Sequence, residues 1–359
     1  MKFLFILLIS FFTLHALTDF QRATQLYEEK EFESALKLFE DLAKKESDYD
    51  AAYMLGHMYE YGEGTSVDIQ ESNKWYKISS IGYYTQDKSD PNAEIEKETR
   101  KLYMGINKAL DKETLRTIKQ YSESKYSIKA YRANYFLPLS YRVNGSYPLT
   151  NGHTSKELET EFQFSIRYDF YANLLGLSEV YSIGYTQLSF WQLYVDSAFF
   201  RETNYNPELF ITIPVGHVKN FDYFKALRLS FEHKSNGRGG DEERSWNYVT
   251  GTVYLQTWLF FSELKLWHEV AELKYNKDLM KYMGYGQVQF MFPYKKHLFK
   301  FMSRNSFSSK RATEINYSYP ISHSKDLFLY VKAFSGYGES LIDYNHKVNK
   351  IGIGFSISR

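Results

Sequence analysis

The stretch Glu159–Phe170 reads ETEFQFSIRYDF, and its apolar residues alternate with polar and charged ones. Successive side chains of a β-strand point to opposite faces of the sheet. One face of this stretch would therefore carry Phe162, Phe164, Ile166, Tyr168 and Phe170, and the other Glu161, Gln163, Ser165, Arg167 and Asp169. The pattern predicts a strand with one apolar face and one heavily charged face.

About a dozen alternating runs follow one another from residue 130 to the end of the chain. The last run places Ile351, Ile353 and Phe355 on one face. The runs begin near residues 132, 160, 178, 205, 223, 246, 259, 281, 296, 311, 326 and 348. Alternation of this kind fits a soluble sandwich with an apolar core, or a barrel that carries its apolar face outside.

Composition favours the membrane barrel over the sandwich. The chain has 33 Tyr and 28 Phe but no Cys, and its polar strand faces carry many charges. Aromatic residues are enriched where strands meet a membrane interface, and only closure of the sheet satisfies every backbone group in lipid. We therefore predict an all-β transmembrane barrel of about 12 antiparallel strands over residues 129–359, preceded by a small α-helical repeat domain.

Export is predicted by the first 16 residues, MKFLFILLISFFTLHA, which form a signal peptide with cleavage after Ala16. An uncleaved anchor is the alternative. Localisation would then be the bacterial outer membrane. The 44 basic and 43 acidic residues are balanced, so no broad positive field attracts nucleic acid. Without cysteine the chain has neither disulfides nor thiolate metal ligands.

Helical periodicity marks residues 17–82, and residues 83–128 form a charged helical connector or a simple linker. Residues 48–80 resemble a Sel1-like repeat of the tetratricopeptide type, with these matching positions: Ala52, Leu55, Gly56, Tyr59, Gly62-Glu63-Gly64, Asp68, Trp75 and Tyr76. Two repeats are fewer than such arrays need to bury a core. The segment therefore predicts a partner surface, with a periplasmic protein as its possible partner.

The stretch Ala226–Val249, ALRLSFEHKSNGRGGDEERSWNYV, contains the candidate chemistry. Strand alternation places His233 and Ser235 on the face of Phe231, and a hairpin would bring Asn247 beside His233. Polar residues that face lipid are costly and usually functional. The predicted roles are Ser235 as nucleophile, His233 as base and Asn247 as the group that orients the imidazole, with a membrane ester as substrate. The alternative is that His233 and Ser235 lie near a loop by chance and have no catalytic function.

Over residues 130–357 the chain resembles the outer membrane phospholipase A family. The resemblance rests on YTQLSFWQ (185–192), FRETNYNPELF (200–210), HKSNGR (233–238), RSWN (244–247), KYMGYGQ (281–287) and SGYGESLIDYN (335–345). It implies a twelve-stranded barrel that hydrolyses the acyl esters of membrane phospholipids as a calcium-bound homodimer. The implied catalytic residues are His233, Ser235 and Asn247, with the backbone N–H of Gly237 as oxyanion donor.

The resemblance also implies a Ca²⁺ site and a dimer contact. The family's metal ligands fall on the carbonyl of Arg238, on Ser197 of the partner subunit and on position 243. That position carries a serine in the family and Glu243 here, which could raise the affinity for calcium or draw the ion towards Asp241 or Glu242. Gln187 falls in the implied dimer interface. An inactive barrel that serves as a pore or scaffold is the alternative function.

Overall fold

The computed structural model describes residues 19–45, 48–82, 128–149, 152–215, 223–256, 260–271, 273–294, 296–321 and 327–359. The chain divides into two compact units, residues 1–93 and residues 94–359. The predicted signal peptide and residues 83–127 of the predicted connector lie outside the described residues. No helix within the described ranges has the length and apolar character to cross a membrane.

The first unit contains two helical hairpins, as the periodicity predicts. Its helices are α1 (Asp19–Glu28), α2 (Phe32–Lys45), α3 (Tyr49–Tyr61) and α4 (Ile69–Gly82). The Asp48 carboxylate accepts the N–H of Ala51 at 2.9 Å and so starts α3, and Gly62 ends it with a φ of 69°. Buried Phe39, Leu55 and Met58 belong to the apolar core between the helices.

Two residues of the repeat-like motif have local structural roles. A Cβ on Gly56 would lie 2.6 Å from the Tyr76 ring, so the glycine lets α4 pack closely on α3. The Asp68 carboxylate accepts the N–H groups of Gln70 and Glu71 and so begins α4. These contacts give Gly56 and Asp68 structural roles, and membership of a repeat family stays a prediction.

The second unit is a closed antiparallel barrel of twelve strands, as predicted. The barrel strands are β2 (Tyr135–Arg142), β5 (Leu158–Ala172), β6 (Val180–Gln192), β7 (Phe199–Pro214), β8 (Phe224–Ser235), β9 (Ser245–Gln256), β10 (Phe261–Glu269), β11 (Gly286–Tyr294), β12 (His297–Arg304), β13 (Ala312–Pro320), β14 (Phe328–Gly336) and β15 (Val348–Ser356). Each strand pairs with its sequence neighbour, and β15 pairs with β2 to close the ring. The short strand β1 (Ile128–Ala130) also pairs with β5, and β3 (Tyr147–Pro148) pairs with β4 (Thr154–Ser155) outside the ring.

Two strand positions differ from the prediction. β11 begins at Gly286 and not near residue 281, because a short helix, α5 (Leu279–Met283), comes first and ends at Gly284 with a φ of 64°. β7 begins at Phe199, six positions before the expected start near 205. The strand β1 starts at Ile128, the last residue of the predicted connector.

Outward and inward faces follow the alternation read from Glu159–Phe170. Phe164 is 48% exposed on the outer wall, whereas Glu161 and Asp169 are buried inside. The buried charges are paired across the lumen: Glu161 with Lys332 at 2.6 Å, and Glu232 with Lys265 at 2.5 Å. Arg228 and Glu232 also lie on the lumenal face: the Arg228 guanidinium donates to the Tyr131 hydroxyl at 3.0 Å, and Glu232 is fully buried.

The loop between β14 and β15 fills the lumen at the end where β8 joins β9, here called the upper end. Leu341 is buried, and its N–H donates to Asn204 Oδ1 at 3.0 Å. The Ile342 N–H donates to Glu202 Oε1, also at 3.0 Å. Burial and a hydrogen bond to Asp278 raise the pKa of Tyr344, which packs in the same apolar cluster. The strands that end here are therefore supported from inside.

Candidate active site

The candidate catalytic residues lie at the upper end of the β8–β9 hairpin. In the strand register His233 stands opposite Asn247, and Ser235, the last residue of β8, stands opposite Ser245. Phe231 and Val249 on the same wall are 48% and 42% exposed. The predicted geometry is confirmed: His233 and Asn247 face outward together, on an apolar wall.

One hydrogen bond joins the two residues and selects a tautomer. His233 Nδ1 lies 2.7 Å from Asn247 Oδ1. A carbonyl oxygen can only accept, so Nδ1 carries the proton and Nε2 keeps its lone pair. The imidazole can therefore accept a proton through Nε2 from a neighbouring hydroxyl.

Ser235 lies in a row that crosses three strands. It stands opposite Tyr205 of β7, and Tyr205 in turn stands opposite Gln187 of β6. Neighbouring strands are about 4.8 Å apart, so Gln187 and Ser235 are separated by about 10 Å at one depth. The Gln187 amide accepts from the Tyr185 hydroxyl at 3.1 Å and donates to Ser189 Oγ at 3.2 Å.

The loop that follows Ser235 is held by a buried asparagine. Asn236 donates from Nδ2 to the Glu242 carbonyl at 2.8 Å, and its Oδ1 accepts the N–H of Arg244 at 3.0 Å. Gly237 adopts a φ of 65°, and a Cβ there would lie 2.9 Å from the Tyr205 ring. Both the left-handed backbone and this ring contact require glycine at the position implied to be the oxyanion donor.

The Arg238 side chain ties the loop to the barrel interior. Its Nη1 lies 2.6 Å from Glu242 Oε2, its Nη2 donates to the Arg201 carbonyl at 2.5 Å, and its Nε lies 3.4 Å from Glu202 Oε2. With the side chain directed inward, the backbone carbonyl of Arg238 remains as the potential metal ligand.

The other implied metal ligands are side chains on two different loops. Glu242 is engaged by Arg238, whereas the half-buried Glu243 carboxylate makes no hydrogen bond or ion pair among the described residues. Ser197 is exposed in the turn between β6 and β7, at the upper end of the barrel. Within the described ranges no cluster of three or more His, Asp or Glu side chains is placed to hold a metal.

The sequence reasoning missed the support of His233 from β7. In this register Pro207 falls opposite His233, and proline has no N–H to donate. The buried Asn206 side chain donates instead from Nδ2 to the His233 carbonyl at 3.2 Å. The available signal was the Asn-Pro pair within a run that otherwise reads as a central strand, where proline is unfavourable.

Comparison with known proteins supports one family. The Phospholipase A1 family model matches residues 110–357. The chain belongs to the phospholipase A1 family. Phospholipase A1 of Escherichia coli K12 is 30% identical over 247 residues, which cover 67% of this chain and 84% of that protein. The putative phospholipase A1 of Neisseria meningitidis serogroup B is 32% identical over 284 residues, or 72% of this chain and 71% of that protein.

Solved structures of outer membrane phospholipases resemble this chain. The outer membrane phospholipase A of Escherichia coli has a TM-score of 0.59 and 29% identity, and the match covers 67% of this chain and 95% of that one. The outer membrane phospholipase of Salmonella typhi, a dimer with bound calcium, has a TM-score of 0.60 and 26% identity, with 69% and 99% covered. The chain is thus an outer-membrane phospholipase with a closed twelve-stranded barrel.

Proposed function

We propose that this phospholipase cleaves phospholipid acyl esters through Ser235, His233 and Asn247 on the outer wall of its barrel. The observation that carries the proposal is the 2.7 Å contact of His233 Nδ1 with Asn247 Oδ1 on a lipid-facing surface. A hydrogen-bonded pair of this kind, beside a serine at a strand end, matches the chemistry of acyl transfer.

Each residue has one task in the reaction. His233 Nε2 takes the proton of the Ser235 hydroxyl while Ser235 Oγ attacks the ester carbonyl, and it then returns the proton to the leaving alcohol. Asn247 keeps the imidazole in the tautomer that this transfer needs. The Gly237 N–H donates to the oxygen on which negative charge develops. Water, activated by the same imidazole, then releases the fatty acid from Ser235.

Calcium fits the donors on the β8–β9 loop. The Arg238 carbonyl and the Glu243 carboxylate are oxygen ligands of the kind that calcium binds. Ser197 of the partner subunit and water would complete the set, which couples calcium to dimerisation. When bound, the ion supplies positive charge near the developing oxyanion.

The dimer contact is proposed to centre on Gln187. Its amide lies on the lipid-facing wall of β6, where two copies could hydrogen-bond across a twofold axis. Such a bond would add to the contacts of the amide with Tyr185 and Ser189, because the amide has a second N–H and a second lone pair.

The helical unit is proposed to be a periplasmic docking domain for a protein partner. The chain enters β2 at the end of the barrel opposite the β8–β9 loop, because β2 runs towards the upper end of β15. In the α3–α4 hairpin Val67 and Ile69 are exposed. We expect deletion of residues 17–82 to leave hydrolysis by the barrel intact.

The proposal is tested by measuring fatty-acid release from phospholipid micelles with calcium and with a chelator. Ser235→Ala and His233→Ala should each abolish release, and the chelator should do the same. Full activity in either variant would contradict the serine mechanism. Ion conductance without any hydrolysis would support the pore or scaffold instead.

A further inference from the structure

The upper part of the barrel lumen contains three nitrogen donors that have no acceptor among the described residues. They belong to Lys234 of β8, Trp246 of β9 and Arg304 of β12, which line one lumenal cavity of about 450 Å³. Lys234 makes no side-chain hydrogen bond or ion pair with any described residue. Trp246 Nε1 and Arg304 Nε are buried and also lack a hydrogen-bond partner there. Buried donors are rarely left without an acceptor, so this cavity favours a ligand rich in acceptors.

Strand register and packing bring the three side chains together. Lys234 and Trp246 stand opposite each other on neighbouring strands, and both side chains line the lumen. Trp246 packs in an apolar cluster with Met283. A Cβ on Gly338 would lie 2.7 Å from both Met283 Sδ and Arg304 Nη2, so these two side chains meet at this glycine. Arg304 also acts more strongly on the charge of Lys234 than any other cation does.

Arg304 is a buried guanidinium in a fixed orientation. It is 8% exposed, and its Nη2 donates to the carbonyls of Tyr337 and Gly338 at 2.7 and 2.9 Å. Within the described ranges no carboxylate lies at ion-pair distance from it. A buried charge is costly unless it is paired, and two carbonyls satisfy only part of the guanidinium. An anion in the cavity would supply the missing negative charge.

Lumenal cations elsewhere in the barrel do have carboxylate partners. Lys332 lies 2.6 Å from Glu161, and Lys129 lies 2.9 Å from Asp169. Pairing is thus the ordinary solution by which this lumen accommodates its charges. The two cations of the upper cavity are exceptions, and like charges in one cavity repel each other.

The two carboxylates that act on Lys234 are already offset by other cations. Glu232 forms an ion pair with Lys265 at 2.5 Å. Glu202 Oε2 lies 3.4 Å from Arg238 Nε. The negative charge of each is therefore compensated, and the positive charge of Lys234 remains.

We propose that the upper lumen binds one small soluble oxyanion, of the phosphate or sulfate class, between Lys234, Trp246 and Arg304. Such an ion offers negative charge and several acceptor oxygens, whereas these three side chains offer donors alone. The barrel wall separates the site from lipid, and the cavity lining continues to Arg359 at the opposite end of the barrel. The ion therefore comes from water and not from a lipid headgroup. The inference does not depend on the proposed ester hydrolysis, because the site lies inside the barrel.

The test is calorimetric titration of inorganic phosphate into the full-length protein in nonionic micelles. The buffer contains no divalent cation and no other oxyanion, so that a bound metal cannot hold the phosphate. We expect saturable binding of one ion per chain. Lys234→Gln should weaken this binding by about tenfold or more, because a hydrogen bond from a charged donor is lost.

Lys300→Gln is the matched control. Lys300 lines the same cavity and makes no side-chain hydrogen bond or ion pair with a described residue. It precedes Arg304 by four positions on β12, so it lies about 13 Å along the strand from the site. The affinity for phosphate should change much less in this variant than in Lys234→Gln.

Two further variants separate charge from structure. Lys234→Arg keeps the charge and should retain most of the affinity, and Trp246→Phe removes only the indole N–H and should weaken binding less than Lys234→Gln. The electrophoretic mobility of the unheated barrel shows that each variant is folded. Absence of saturable binding to the unsubstituted protein would overturn the site. Equal losses in Lys234→Gln and Lys300→Gln, or a Lys234→Arg protein that binds no better than Lys234→Gln, would overturn it as well.

Discussion

His233 Nδ1 and Asn247 Oδ1 lie 2.7 Å apart on the outer face of two neighbouring strands. The loop that joins these strands carries Gly237, Arg238 and Glu243. The pair depends on register alone, because a shift of one residue would turn either side chain into the lumen. Asn247 is neutral, so it orients the imidazole without placing a carboxylate beside hydrocarbon.

Replacing Asn247 with Ala should lower kcat by roughly a hundredfold, because the imidazole loses the partner that selects its tautomer. KM should change little. The control is Asn349→Ala, which removes an outer-wall asparagine that accepts from Ser335 Oγ at 2.7 Å far from the site. The kcat of both variants is measured in steady-state hydrolysis of micellar phospholipid. An equal loss of kcat in the two would contradict an orienting role of Asn247.

Gly237→Ala should reduce activity much more than Gly240→Ala. Both glycines have positive φ, 65° and 62°, so each alanine strains the loop by about 1–2 kcal/mol. Only a Cβ at position 237 meets the Tyr205 ring, and only that substitution moves the N–H implied to stabilise the oxyanion. Loss of such a donor costs about a hundredfold in kcat. Similar rates in the two variants would remove Gly237 from the mechanism.

Glu243→Ala should weaken calcium binding by about tenfold or more, since a charged oxygen ligand is lost. Glu242→Ala is the matched control: that carboxylate is already paired with Arg238 at 2.6 Å. Terbium luminescence gives affinity without relying on turnover, and the calcium dependence of hydrolysis should shift in parallel. A larger effect at position 242 would move the ligand role to Glu242.

Asn206→Ala should lower kcat by about tenfold, because it leaves the His233 carbonyl without its side-chain donor and loosens the strand that carries the imidazole. Asn316→Ala removes a buried lumenal asparagine of β13 that donates to Glu314 at 2.8 Å, and should leave kcat unchanged. The kcat of each variant is measured in the hydrolysis of micellar phospholipid. The electrophoretic mobility of the unheated barrel shows whether each variant is folded. If Asn206→Ala keeps full kcat, the support of His233 by β7 is unimportant.

The helical unit should lose stability as the pH rises from 10 towards 12. Burial and a hydrogen bond to Glu40 raise the pKa of Tyr59 to about 12. The ordinary tyrosine pKa is about 10, so the unfolded chain releases this proton first and the stabilisation disappears as the pH passes the folded value. Ellipticity at 222 nm should fall over this range, and the fall should be smaller in Tyr59→Phe. An identical alkaline profile in that variant would show that Tyr59 does not contribute.

Much of the barrel could be read from the alternation. The strand of Phe164 and Asp169 has the predicted faces because a pleated strand has a period of two, which sequence displays directly. The start of β11 could not be read, since residues near Met283 alternate by chance before a left-handed glycine ends a short helix. Alternation says nothing about which backbone conformation precedes a strand.

For the candidate site, too, some features could be predicted from the sequence and others only from the structure. The sequence by itself determined that His233, Ser235 and Asn247 share the apolar face, because strand parity is a local property. Only the tertiary structure decided that Asn206 of β7 donates to the His233 carbonyl, and that Gly237 packs against the Tyr205 ring. These contacts join residues that are distant in the sequence, and the pairing register that creates them is a property of the closed barrel as a whole.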